Sequence, residues 1–174
     1  MFMNKVKVKS ALSLLALSIG VTSTLVAAED IQITGNVASK CVVTTDTIGV
    51  FGNPSPSVLS TAQTDGGIQP IIRYDVIQAD FYKARIIVPN SFSESPTLDD
   101  VINWTGDVEV GEVSDALMSA YDQSKILYDN VTEIDLTVAG STWFKVDSVA
   151  TYGYDKALPA GTYRSIVSAE CIAN

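Results

Sequence analysis

The sequence predicts an all-β protein, an antiparallel sandwich, on three observations. Apolar and polar residues alternate with a period of two in short runs, turn-forming residues separate those runs, and helical periodicity is scarce. Successive side chains of a strand point to opposite faces. Alternation therefore describes strands with one buried and one wet face.

The first run spans residues 31–37. Ile31, Ile33, Gly35 and Val37 share one face, and Gln32, Thr34 and Asn36 the other. Continued in phase, the apolar face takes in Cys41 and Val43. Gly49, Gly52, Asn53, Pro54 and Pro56 then mark a turn or loop around Val50 and Phe51, and residues 55–67 read as a long polar connection. Residues 68–76 and 81–88 follow as strands. In the latter, Tyr82, Ala84, Ile86 and Val88 point inward while Lys83 and Arg85 face water.

The middle of the chain is less regular. Residues 101–104 and 108–110 read as two short strands. Residues 114–121 combine an N-cap with good helix formers, which predicts a turn or two of helix. Alternation returns at 132–138, and Ala139-Gly140-Ser141 turns the chain into residues 142–149, read as the hairpin partner. Leu158-Pro159-Ala160-Gly161-Thr162 forms the last turn before a final strand over 163–172. That strand places Tyr163, Val167, Ala169 and Cys171 on one face.

The compartment is read from the first residues. Lys5, Lys7 and Lys9 precede an apolar run from Ala11 to Ile19, which gives way to small residues ending at Ala28. This is the layout of a secretory signal peptide over residues 1–28, with the mature chain starting at Glu29. The apolar core is shorter than the ~20 residues a membrane-spanning helix requires. Loss of three of the 11 basic residues leaves 8 against 20 acids, a net charge of −12. A polyanion of this kind repels nucleic acid and anionic lipid. The remaining length suits one domain, with no linker or internal repeat dividing it.

In an oxidising compartment Cys41 and Cys171 are expected to form a disulfide; a reactive thiol pair is the weaker alternative, since no Cys-X-X-Cys spacing is present. A loop of this length contributes up to about 5 kcal/mol in the chain-entropy model. The chain has no histidine, which excludes Ser-His-Asp and Cys-His catalysis and the usual imidazole ligands of zinc. No motif supports carboxylate-pair or Ser-Lys chemistry, so no catalytic residue, metal site or cofactor is assigned. Trp104 and Trp143 read as core residues, with a sugar-binding platform as the competing role. Asp99 and Asp100 lack EF-hand spacing and read as a solvated face. Asn103-Trp104-Thr105 and Asn130-Val131-Thr132 match the glycosylation pattern, which recurs by chance.

Several of these features occur together in one family. The signal peptide, the alternating N-terminal strand, the Gly35, Val37 and Cys41 spacing and the terminal Pro-Ala-Gly-Thr-Tyr strand resemble chaperone–usher pilus subunits. The short N-terminal extension is closer to the colonisation-factor or archaic type. The likeness covers the two ends of the mature chain. It implies an immunoglobulin-like sandwich that lacks its final strand, over residues 40–174, completed by a donor strand from a neighbouring subunit. Residues 29–39 would be the donor, with Ile31, Ile33 and Val37 filling pockets and Gly35 crossing a shallow place. Tyr163, Val167 and Ala169 would line the acceptor groove. The implied partners are further copies of the chain or related subunits, a periplasmic chaperone, an outer-membrane usher, and a surface receptor at the cell exterior. A departure from the pattern is that Cys41 pairs with a cysteine near the C terminus rather than one in the second strand.

Two other classes stand beside this expectation. One is a self-contained secreted sandwich that binds a ligand, lectin-like or calcium-binding. The other is a histidine-free hydrolase using carboxylates.

Overall fold

Strands whose sequences alternate must bury their apolar faces against a partner, and here two sheets do so for each other. The computed structural model describes residues 32–35, 40–154 and 156–174. Residues 37–174 make up one compact unit. Of the unit before it, residues 32–35 are described; Ile33 is 93% exposed there and the space around Gly35 is open. Ile31, Val37 and the expected signal peptide lie outside the described residues.

In chain order the strands are β1 (Cys41–Thr47), β2 (Gly52–Ser55), β3 (Val58–Ser60), β4 (Ile71–Val76), β5 (Tyr82–Ile87), β6 (Ile102–Val113), β7 (Ile126–Tyr128), β8 (Val131–Asp135), β9 (Gly140–Tyr152) and β10 (Ser168–Ala173). One sheet is built around β9. Along one side of it runs β6; along the other, β4 pairs with its first half and β3 with residues near its end. β1 lies outside β4, and β2 outside β3. The second sheet has the order β10-β5-β8-β7, and every pairing in both sheets is antiparallel. The fold is an all-β, immunoglobulin-like antiparallel sandwich.

The core lies between the sheets. Ile72, Tyr74, Val108, Phe144 and Val146 contribute from one sheet; Ala84, Ile86, Ile134 and Leu136 contribute from the second sheet and its margin. The rings of Tyr74 and Phe144 meet edge to face with centroids 5.5 Å apart, a preferred arrangement for aromatic quadrupoles. Met118 and Tyr121 close one end of the core from the connection between β6 and β7. On the outer face of the second sheet, Arg85 bridges Glu170 at 2.9 Å and Glu133 at 3.8 Å, spanning three adjacent strands.

The disulfide joins Cys41 at the start of β1 to Cys171 in β10, with Cα atoms 6.2 Å apart. Ala84, Ile86 and Val88 are buried as their alternation predicts, and so is Cys41. Several expectations are corrected. Ile102–Val113 forms the single long strand β6 rather than two short ones, because β9 offers an unbroken partner apart from one bulge between Val110 and Glu112. The polar connection over 55–67 contains β3, whose Leu59 and Ser60 are buried. The helical segment comprises a 3-10 turn at Ala116–Ala120 and α1 at Tyr121–Ser124, capped by the Asp115 carboxylate accepting from the Leu117 amide.

The strands β8 and β9 are not a hairpin pair, for they belong to different sheets. The Leu136 amide still bonds to Tyr82, and the Val138 amide donates to the Tyr121 hydroxyl at 3.0 Å instead of to a strand neighbour. That side-chain contact satisfies the backbone while the chain crosses between layers. Trp143 is half-buried on the outer face, under the Arg73 guanidinium 5.1 Å from its centroid, rather than in the core. A cation over an indole face stabilises this placement.

Candidate functional site

Edge strands expose backbone donors and acceptors along one side. β1 is the outer neighbour of β4 in one sheet and β10 the outer neighbour of β5 in the other. The two edges lie beside each other, tied at one end by the Cys41–Cys171 bridge. Between them is a cavity of about 780 Å³. One wall carries Val43, Val50 and Phe51; the opposite wall carries Tyr163, Val167 and Ala169; Ile72 lies between them at the border of the core. Thr44, Thr45, Thr47, Thr61 and Ser165 add hydroxyls to the lining, and Arg164 a guanidinium.

The wall formed by residues 163–169 is extended, and its residues alternate between half-buried and exposed, as in a strand. Only from Ser168 onward does it pair in a ladder, opposite Ile87. Before that point β5 has ended, and the single bridge is between Arg164 and Glu94. Among the described residues, Ser165, Ile166 and Val167 make no backbone–backbone hydrogen bond. The final strand is accordingly shorter than the sequence pattern predicts. Half of its alternation faces a cavity instead of a neighbouring strand. On the other wall, an antiparallel ladder directs alternate backbone groups of β1 toward β4 and the rest away from it.

Apolar side chains at this edge remain in water: Ile48 is 80% exposed, Ile166 66% and Val50 49%. An aromatic cluster closes the end remote from the disulfide. Phe92 lies 4.7 Å from Trp104, 5.1 Å from Tyr163 and 6.3 Å from Phe51, centroid to centroid. The Tyr163 hydroxyl donates to the Pro159 carbonyl at 2.7 Å, which fixes its ring at the cavity wall. Burial, with a smaller contribution from Tyr152, pushes this phenol up from its ordinary value.

Of the residues assigned from sequence, Tyr163, Val167 and Ala169 line the same cavity. Cys41 and Cys171 are bonded at one end of its walls. Of the expected donor, Ile33 is exposed and the space around Gly35 is open, while Ile31 and Val37 lie outside the described residues. Sequence reasoning missed Phe51 and Phe92. The signal for Phe51 was its place with Val50 between glycines, where a turn has no use for two large apolar side chains. Asp99 and Asp100 are engaged locally, with Lys156 at 3.4 and 3.1 Å and the Tyr152 hydroxyl bonded to Asp99.

No protein-family model matches this chain, and comparison with curated proteins finds no match either.

Proposed function

We propose that this chain is a structural subunit of an extracellular adhesive filament, exported through the periplasm and polymerised by donor-strand exchange. Residues 1–28 act as the signal peptide, residues 29–39 as the donor strand, and residues 40–174 as the acceptor domain. The observation that carries this reading is the cavity between β1 and residues 163–169, where among the described residues Ser165, Ile166 and Val167 have no backbone partner. An added strand there would supply both the missing hydrogen bonds and the missing apolar cover, which is β-augmentation.

The dimensions agree. Residues 163–169 and residues 31–37 are segments of equal length, each about 20 Å at the rise of a strand. Four side chains of the acceptor wall turn to the cavity side, and four alternate positions, Ile31, Ile33, Gly35 and Val37, form the apolar face of the donor. Burying Ile31, Ile33 and Val37 contributes on the order of 1.5–3 kcal/mol each. Donor and acceptor are different surfaces of one molecule, so their contact is heterologous and extends into a filament. A periplasmic chaperone would cover the groove before assembly, and an outer-membrane usher would order the exchange.

The purified mature chain tests this. It should form a ladder of polymers resistant to mild detergent, and Ile31→Asp with Ile33→Asp should abolish the ladder. A ladder unaffected by the double substitution contradicts the assignment.

A further inference from the structure

A second cavity, of about 440 Å³, opens at the other edge of the sandwich. Its lining includes Trp104 and Thr105 of β6, Asn90 in the connection after β5, and Asp129 and Asn130 in the turn between β7 and β8. β6 is at the edge of its sheet opposite β1, and β7 at the edge of the other sheet opposite β10. This cavity therefore lies on the β6–β7 side of the sandwich, and its Trp104 also belongs to the aromatic cluster at the end of the strand-accepting groove, with the Phe51 ring 6.5 Å away.

Its wall is rigid. Phe92 packs against Trp104 with centroids 4.7 Å apart and an interplanar angle of 64°, which holds the indole half-exposed at a fixed tilt. Gly106 lets β6 come close here, since a Cβ would meet Val88 Cγ1 at 2.3 Å and the Asp147 carbonyl oxygen at 2.6 Å. Asn130 is oriented by donating to the Val88 carbonyl at 2.7 Å and by its own carbonyl accepting from the Val88 amide at 2.8 Å. Asp129 adopts φ 51°, a left-handed backbone that asparagine and aspartate tolerate best. Among the described residues its carboxylate takes part in no hydrogen bond or ion pair, and neither does the Asn90 amide.

We propose that this cavity binds a neutral sugar. Small-ligand pockets run from roughly 300 to 1,000 Å³ and combine an apolar wall with a few convergent polar groups. The half-exposed Trp104 supplies apolar surface of the kind that packs on the C–H side of a pyranose. Asp129 and Asn90 offer an acceptor pair and an amide to adjacent ring hydroxyls, and a hydrogen bond to a carboxylate is about twice as strong as a neutral one. The free Asp129 charge and the acidity of the chain, net −9 over the full sequence, disfavour sialic and uronic acids. The site does not depend on the filament reading. In a filament the site would repeat along the fibre, and weak single-site binding would gain avidity.

Ligand-observed saturation-transfer NMR on the purified mature chain tests the proposal. The probes are the methyl glycosides of glucose, galactose, mannose, fucose and N-acetylglucosamine, with sialic acid as the anionic control. At least one neutral glycoside should give a saturable signal in the millimolar range and sialic acid none. Asp129→Asn, which keeps the backbone geometry, should weaken binding roughly tenfold, the equivalent of one charge-assisted hydrogen bond. Trp104→Leu should abolish it and Trp143→Phe leave it unchanged. The absence of signal from every neutral glycoside, equal binding of sialic acid, or binding that survives Asp129→Asn at full strength overturns the proposal.

Discussion

The Tyr74 hydroxyl, on β4 of one sheet, donates across the sandwich toward the Glu170 carbonyl on β10 of the other, at 3.3 Å, and shares its proton with the Arg85 carbonyl at 3.1 Å. A fully buried phenol thus ties the two layers close to where β10 borders the groove. Tyr74→Phe should cost about 1–2 kcal/mol, since it deletes a buried hydrogen bond without opening a cavity. Urea denaturation midpoints of the two proteins measure this.

Burial, the largest cause, pushes Tyr74 well above its ordinary value. A group raised in the folded state contributes stability that is fully present below the unfolded-state value, about 10 for tyrosine, and is lost as pH rises toward the folded value. The protein should therefore lose stability above about pH 10 more steeply than Tyr74→Phe does. Parallel slopes in the two denaturation series would contradict this.

The bridge between Cys41 and Cys171 closes a span of 130 residues. Replacing both cysteines by serine should lower stability by up to about 5 kcal/mol on the chain-entropy account. It should also weaken binding of a peptide spanning residues 29–39, because the bridge holds the two groove walls together at one end. Calorimetric melting and peptide titration of the double variant check the two effects separately.

Some of this was legible from residues alone. The alternation of residues 81–88 and the in-phase placement of Cys41 and Cys171 identified a sandwich and a bridge between its outer strands, because period-two burial is a local property. Sheet membership is not local. The Ala139-Gly140-Ser141 sequence suits a tight hairpin, yet the chain crosses into the other layer there, with the Val138 amide bonded to the Tyr121 hydroxyl. Hydrophobicity placed Trp143 inside, whereas the Arg73 guanidinium over its face stabilises it outside. For the groove, Tyr163, Val167 and Ala169 were readable from their phase. Phe51 and Phe92 were not, because their cluster joins segments far apart in sequence.

Gly106→Ala should be destabilising by about 1–3 kcal/mol, the range for overpacking. The added methyl would meet Val88 and, less able to move, the Asp147 carbonyl of the neighbouring strand. Thermal melting of this variant beside Gly35→Ala, where the space is open, provides the comparison.

Asp99 is held below the usual carboxylate range by the Tyr152 hydroxyl first and by Lys156 second. For Asp100 the Val101 amide comes first and Lys156 next. Depressed carboxyl groups stabilise the fold above their unfolded values and lose that contribution as pH falls through the folded ones. Lys156→Gln should raise both titrations only in part, since the Tyr152 hydroxyl on Asp99 and the Val101 amide on Asp100 persist. Carbon-detected NMR of the two side chains between neutral and acid pH measures both.

The account turns on whether the sandwich lacks a strand that the N-terminal segment supplies. The measurement is the melting temperature of a chain lacking residues 29–39, disulfide intact, with and without a synthetic peptide of that sequence. A large rise on adding the peptide, lost when Ile31 and Ile33 in the peptide are replaced by aspartate, is the predicted result. A domain already stable and indifferent to the peptide would contradict it and identify a self-contained sandwich.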